Sequence, residues 1–226
     1  MRIGLLLFPD LTQLDLTGPL EVFTRMAGAE VSLIWKSLEL VGSDRGMQIM
    51  PSCAFKDARN LDLICVPGGP KQIELMSDDE TLNYLRRVSE NCGWITSVCT
   101  GSLVLAAAGL LDGYRATSHW SSIDQLSLFG AIPVQERVVR DRNRITGAGV
   151  TSGIDFALTI AAEFLGECAA KEIQLQTEYD PAPPFKAGSP QSAEPAILAA
   201  VKDRIAPFIE TRWQASKAAA RILGKT

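Results

Sequence analysis

Short apolar runs, each closed by a turn signal and followed by a helical stripe, set the rhythm of this chain. Residues 2–8 (R-I-G-L-L-L-F) are apolar almost without interruption, as in a strand buried on both faces, and Pro9-Asp10 ends the run. A loop over residues 11–16 follows. Pro19 suits the first turn of a helix, where its missing N–H is not needed. With Leu20, Val22, Phe23 and Met26 at near-helical spacing, a helix is predicted over about 19–27. Residues 30–37 alternate and are rich in β-branched and aromatic side chains, which predicts a strand. Residues 38–43 and 48–55 read as short strands around the turn Asp44-Arg45-Gly46, a hairpin-like excursion.

The second half repeats the alternation. Residues 61–66 form a buried strand ended by Pro67-Gly68-Gly69-Pro70. Ser77-Asp78-Asp79-Glu80 opens a helix with acidic residues in its first turn and a stripe of Leu82, Leu85 and Val88. Residues 94–98 are a strand, and an apolar helix follows to about 111. After the Asp112-Gly113 turn, residues 116–119 read as a short strand or loop, 121–129 as helical and 131–139 as extended. Residues 144–147 lead into a second elbow-like turn, Ala148-Gly149-Val150. Thr151 or Ser152 then caps a helix with the stripe Ile154, Leu158, Ala161 and Leu165. Helix resumes over 167–179 after a break at Gly166. The stretch 181–190 (P-A-P-P-F-K-A-G-S-P) excludes regular structure and reads as a surface or lid element. The tail, about 194–223, is helical, with Pro207 as a kink or break. Alternating strands and helices predict an α/β fold whose sheet is mainly parallel, with helices on both faces. No repeat or linker divides the chain, so one domain over residues 1–226 is expected.

The candidate chemistry centres on Cys99. It stands where the strand 94–98 turns into the helix opened by Thr100-Gly101-Ser102, the geometry of a nucleophile elbow. Such a bend lies at the carboxyl edge of the sheet, where open α/β folds bind ligands. Free N–H groups and the positive end of the helix dipole there favour an anion, here a thiolate. The plainer alternative is a buried, inert cysteine, the usual state of this residue type. That reading is preferred for Cys53, Cys65, Cys92 and Cys168.

Asp15 is the second candidate. Aspartate before a helix is commonly a cap. However, the first strand and the Cys99 strand are plausible neighbours in a parallel sheet, which would bring their carboxyl-end loops together. A carboxyl beside a thiolate titrates jointly with it, most simply as protonated Asp15 beside ionised Cys99. Gly68 and Gly69 form a simple turn or point their N–H groups into the same pocket, and Val150 or Thr151 supplies an N–H or a pocket wall. His119 is the only imidazole. A Cys–His dyad is the usual arrangement for a cysteine nucleophile, but no spacing ties His119 to Cys99, so a structural or supporting role is expected.

Composition narrows the classes. The 226 residues are 46% hydrophobic and 21% charged, enough for a sizeable core. A net charge of −4 lacks the basic footprint of a nucleic-acid binder. No run approaches the roughly 18 to 20 apolar residues of a membrane span, and no cleavage site follows the short N-terminal run. A cytoplasmic protein with no membrane or nucleic-acid partner is expected. Five widely spaced cysteines without a C-x-x-C pair, and a single histidine, fit neither a disulfide framework nor a metal site.

The segments Q-L-D-L-T-G-P (13–19), V-P-G-G (66–69), S-V-C-T-G-S-L-V-L-A-A-A-G-L-L (97–111), A-T-S-H-W (116–120) and G-I-D-F-A-L (153–158) resemble the ThiJ/PfpI superfamily. Within it, the chain is similar over nearly its whole length to the bacterial isocyanide hydratases. The resemblance implies a flavodoxin-like three-layer sandwich of the class I glutamine amidotransferase-like type and a homodimer. It also implies a cofactor-free hydro-lyase that adds water to an isocyanide to give an N-substituted formamide. By motif position it places the nucleophile on Cys99, the catalytic carboxylate on Asp15 and the threonine after the nucleophile on Thr100. The expected scheme is attack by Cys99, protonation by Asp15 to a thioimidate, and hydrolysis. Thr100 stands where the protease branch has histidine, which argues against a peptidase. The second elbow, Gly147-Ala148-Gly149-Val150, departs from the hydratases, where more glycine and an isoleucine are expected. L-D-L-T-G-P and A-T-S-H-W also occur in the sensory domains of AraC-type regulators. No helix-turn-helix domain is expected here, since the sequence stops at Thr226. A ligand-sensing module and another cysteine-dependent enzyme of the superfamily remain the alternatives.

Overall fold

A computed structural model describes residues 1–225 of the chain. Its elements are β1 (Arg2–Leu6), α1 (Gln13–Phe23), β2 (Glu30–Trp35), β3 (Val41–Gly42), β4 (Gln48–Ile49), β5 (Cys53–Ala54), β6 (Leu63–Val66), α2 (Gln72–Leu75), α3 (Asp79–Ser89) and β7 (Trp94–Val98). There follow α4 (Gly101–Ala107), β8 (Arg115–Ala116), a 3₁₀ helix over Ile123–Phe129, β9 (Ile132–Pro133), β10 (Val138–Asp141), β11 (Arg144–Gly147), α5 (Ser152–Leu165), α6 (Glu167–Gln176) and α7 (Pro195–Ile222). The main sheet runs β10-β11-β7-β6-β1-β2-β5, parallel except for the β10–β11 pair. Helices α1, α5 and α6 pack together, and α2, α3, α4 and α7 form a second group around α4. The result is the three-layer α/β sandwich expected from the alternating pattern.

The central strands are buried because they are apolar on both faces. Ile3, Leu5, Leu6, Leu63, Ile64, Val98 and Ile145 are all inaccessible to solvent. β6 stands between β1 and β7, so β1 and the Cys99 strand are separated by one strand and not paired directly. Their carboxyl ends still open on the same edge, because all three strands are parallel. The hairpin-like excursion is β3 paired antiparallel with β4, while β5 leaves it to form the edge of the main sheet beside β2.

Several expectations are corrected. Helix α1 starts at Gln13, six residues before the position suggested by Pro19, so Asp15 lies in its first turn and not in a loop. Pro19 then sits mid-helix, a place normally disfavoured by the lost N–H and the ring clash. Packing decides the matter: the proline ring is seated on α5, where a Cβ on Gly153 would come within 3.0 Å of its Cδ. On α5, only Ala161 of the expected stripe is fully buried; the buried face is Gly153, Phe156, Ala157, Ile160 and Ala161. This helix is packed by α1 on one flank and α6 on another, which displaces the apolar face. The 121–129 segment is 3₁₀ and begins at Ile123. The 131–139 stretch is divided: β9 pairs with β8 outside the main sheet, and only β10 joins it. Helix α7 runs through Pro207 without a break. Residues there are exposed, so the carbonyl that loses its partner faces water. The short helix α2 had no counterpart in the sequence pattern. No helix among the described residues is long and apolar enough to cross a membrane.

Candidate active site

Strand β7 delivers Cys99 at the carboxyl edge of the sheet, in a left-handed backbone conformation with φ of 56°. For a residue with a Cβ this costs about 1–2 kcal/mol, and the surroundings hold it in place. The Cys99 N–H donates to the carbonyls of Gly147 (3.0 Å) and Ala148 (2.8 Å). Its carbonyl accepts from the hydroxyls of Ser102 and Ser118, each at 3.1 Å. The turn into α4 presses so closely on the end of β6 that a Cβ on Gly101 would lie 2.0 Å from the Val66 carbonyl oxygen. Only glycine fits there, which explains the small residue two places after the cysteine.

Asp15 reaches the same point from α1 and is fully buried. Its Oδ2 accepts the Gly68 N–H at 2.9 Å. The Gly69 N–H donates to Thr100 Oγ1 at 3.2 Å. A Cβ on Gly68 would stand 2.6 Å from the Thr100 nitrogen and 2.8 Å from Asp15 Oδ2, so a bare backbone is what lets carboxyl, threonine and elbow converge. The Gly68 and Gly69 N–H groups are thus engaged by Asp15 and Thr100 at the elbow, and neither glycine lines the neighbouring cavity.

The electrostatics correct one expectation. Burial pushes the Asp15 carboxyl up to about 7, against the hydrogen bonds from Cys99 and Gly68, which pull it down. Burial also drives the Cys99 thiol well above its ordinary value, and the Asp15 charge drives it further; the Thr100 N–H opposes this. The start of α4 thus does not by itself lower the thiol, because desolvation outweighs one N–H. Carboxyl and thiol form a coupled pair that gives up one proton near neutrality and holds the second tightly. The other cysteines are free. Cys65, sealed in β6, is pushed up to about 12 by burial.

The remaining candidates are drawn to a neighbouring cavity of about 820 Å³. His119, Val150 and Thr151 line it, with Trp120 and Ile205, and residues 188–190 of the proline-rich loop, with Gln191 after them, form part of its wall. Ser118 and Ala148, which hold the Cys99 backbone, border it as well. His119 does not reach Cys99; its Nδ1 pairs with Ser121 Oγ at 2.8 Å. Burial, aided by the Arg212 charge, holds its pKa down at about 4, so the ring is neutral. Sequence reasoning missed Ser118, Gln72 and Arg212. Arg212 had one signal: it lies on the buried stripe of α7 with Ser216, Ala219 and Ala220.

Known proteins resemble this chain in sequence and in fold. The sequence model of the DJ-1/PfpI family matches residues 1–163. An isonitrile hydratase from Pseudomonas putida is 50% identical over 220 residues, covering 97% of this chain and 96% of its own. A crystal structure of a ThiJ/PfpI family protein from Pseudomonas syringae superposes with a TM-score of 0.92 at 45% identity, over 97% of this chain and 90% of that one. A helix-turn-helix-type transcriptional regulator from Pseudomonas aeruginosa is 32% identical over 69% of this chain, which spans 44% of the regulator.

Proposed function

The chain belongs to the DJ-1/PfpI family, and we propose that within it this protein is an isocyanide hydratase, converting an isocyanide and water into an N-substituted formamide. The observation that carries the reading is the partner of the cysteine. A buried carboxyl raised to about 7, and not an imidazole, faces Cys99, in a chain half identical end to end to an isonitrile hydratase.

The chemistry needs a nucleophile that can leave again and an acid that becomes a base. In its singly charged state the pair includes the form with ionised Cys99 and protonated Asp15. The sulfur attacks the terminal carbon, a C–S bond forms, and Asp15 delivers its proton to that carbon, giving a thioimidate and an Asp15 carboxylate. Water then adds to the carbon as Asp15 takes its proton and passes it to the nitrogen. Collapse breaks the C–S bond, returns the hydroxyl proton to Asp15 and frees the formamide and the thiolate. The net change is one isocyanide plus one water, with the pair restored.

In this reading Thr100 holds the Gly69 loop against the elbow, and the 820 Å³ cavity takes the substituent on nitrogen. Val150 and Thr151 form its wall, and His119 supports the Ser121 turn. The active protein is taken to be a cytoplasmic homodimer of a single domain over residues 1–226, with no cofactor.

The test is loss of an aryl isocyanide by absorbance, paired with intact-mass trapping. Cys99→Ala is expected to abolish turnover, and the wild type to carry a substrate-sized adduct on the Cys99 peptide. Turnover by Cys99→Ala, or an adduct on the Cys53 or Cys65 peptides instead, would overturn the covalent scheme. Tight ligand binding without turnover would favour the sensing module.

A further inference from the structure

Arg212 is a buried cation that the scheme above leaves unused. Helix α7 carries it inward to 6% exposure, beyond the residues matched by the family sequence model. Its polar contacts are neutral. Nη1 donates to Ser122 Oγ at 2.7 Å, and Nε donates to the Gln72 side-chain oxygen at 2.9 Å, with that amide turned to face it. The Phe208 ring lies 4.6 Å from the guanidinium carbon. Among the described residues, no carboxylate comes within ion-pair distance of it. A buried charge without a counter-charge is costly, so it is normally paired.

The two anchors show where the missing charge belongs. Gln72 follows the Gly68-Gly69 loop, and its N–H is bound to the Gly69 carbonyl at 3.2 Å. That loop holds Asp15 and Thr100. Ser122 closes the turn that begins at His119, its N–H bound to the His119 carbonyl at 2.8 Å. The preceding Ser118 holds the Cys99 carbonyl. One guanidinium therefore ties together the two loops that flank the elbow.

The charges around the elbow are few. Asp15 acts on Cys99, and Asp44 acts on Asp15. His119 is neutral, while Glu74 on α2 and Asp124 at the 3₁₀ turn are exposed. Among the described residues, Arg212 is the one cation felt by the Cys99 thiol, and the influence is mutual.

We propose that Arg212 is the counter-charge of the Asp15–Cys99 pair, a positioning residue that clamps both flanking loops and draws the pair's single negative charge toward sulfur. The proposal rests on Cys99 being the nucleophile and is independent of which isocyanide is used. It is tested by titrating thiolate ultraviolet absorbance in the wild type, Arg212→Gln and Arg212→Lys, each corrected with its own Cys99→Ser background. Gln keeps a hydrogen-bonding side chain without the charge; Lys keeps the charge without the fork.

In Arg212→Gln the Cys99 signal is expected about one pH unit higher, about tenfold less thiolate at a fixed pH below the midpoint. Neutral-pH kcat is expected to fall in proportion and recover as the pH is raised. In Arg212→Lys the midpoint is expected to stay within about half a unit. An unchanged midpoint in Arg212→Gln with the fold intact would reduce Arg212 to a structural clamp and overturn the proposal. If Arg212→Gln does not fold, Arg212→Lys decides alone: a midpoint raised by about a full unit despite the retained cation also overturns it. Failure of the nucleophile reading looks different, since Cys99→Ser would then retain turnover whatever residue 212 is.

Discussion

Replacing Asp15 with asparagine separates the chemistry of this carboxyl from its cost to the fold. The shape is kept, and the amide oxygen can still accept the Gly68 N–H that Oδ2 accepts at 2.9 Å. Only the ionisation is lost. In the folded protein the carboxyl titrates at about 7, raised from 3.8. A rise of about three units, at about 1.4 kcal/mol per unit, makes the ionised form destabilising by up to ~4 kcal/mol. The sign follows from the direction of the shift. The stability that the neutral carboxyl contributes is full below about pH 3.8, declines as the pH rises, and is gone above about 7. The Asp15→Asn variant has no such decline. Its stability gap from the wild type is therefore expected to widen by ~3 kcal/mol between about pH 5 and pH 8. For a chain of this length that is roughly 6–12 °C in Tm. Thermal unfolding of both proteins across that range measures it, while the variant's turnover is expected to be almost nil. A Tm gap that stays constant with pH would refute the raised carboxyl and, with it, the use of Asp15 as an acid at neutrality.

Two further outcomes follow from the same geometry. For the wild type, kcat/KM is expected to rise about tenfold per pH unit below pH 7 and to level above it, as the pair loses its first proton; a flat profile from about pH 5 to 8 would show that the singly charged pair is not the active form. Gly101→Ala sets a Cβ 2.0 Å from the Val66 carbonyl oxygen and is expected to cost at least about 1–3 kcal/mol by chemical denaturation. A cost below about half a kcal/mol would mean that the elbow has slack to give.

What the chain discloses in one dimension depends on how local the cause is. The Cys99 elbow was legible because strand, bend and helix are adjacent in sequence and the close approach at Gly101 demands a small residue. The parallel sheet was legible for the same reason, as buried strands are apolar on both faces. Asp15 was found as a residue but misplaced, because Pro19 is a strong local helix-start signal and its tolerance mid-helix comes from a distant surface on α5. The α5 stripe was misassigned because the helix is packed from more than one side. Arg212 was passed over, despite its place on the small-residue stripe of α7, because every contact that gives it meaning, to Gln72, Ser122 and Cys99, lies 90 or more residues away along the chain. An arginine in an amphipathic tail reads as solvated until the fold shows which way it points.

The proposed use of a carboxyl in place of the lone imidazole has a physical basis in this site. A group that must first donate and later accept a proton works best with a pKa near the working pH. His119 is held down at about 4 by burial and by the Arg212 charge, so near neutrality it has no proton to give. Asp15 is raised to about 7 by burial beside the thiol and is available in both forms. The environment has thus exchanged the ordinary strengths of the two groups: the carboxyl titrates where an imidazole usually does, and the imidazole where a carboxyl usually does. Arg212 sharpens the division, since the cation that suppresses His119 also favours negative charge on Cys99. One buried guanidinium therefore works against a Cys–His dyad and, in the proposed scheme, offsets part of what burial and Asp15 cost a thiolate beside a protonated carboxyl, the state from which attack and proton delivery would both proceed.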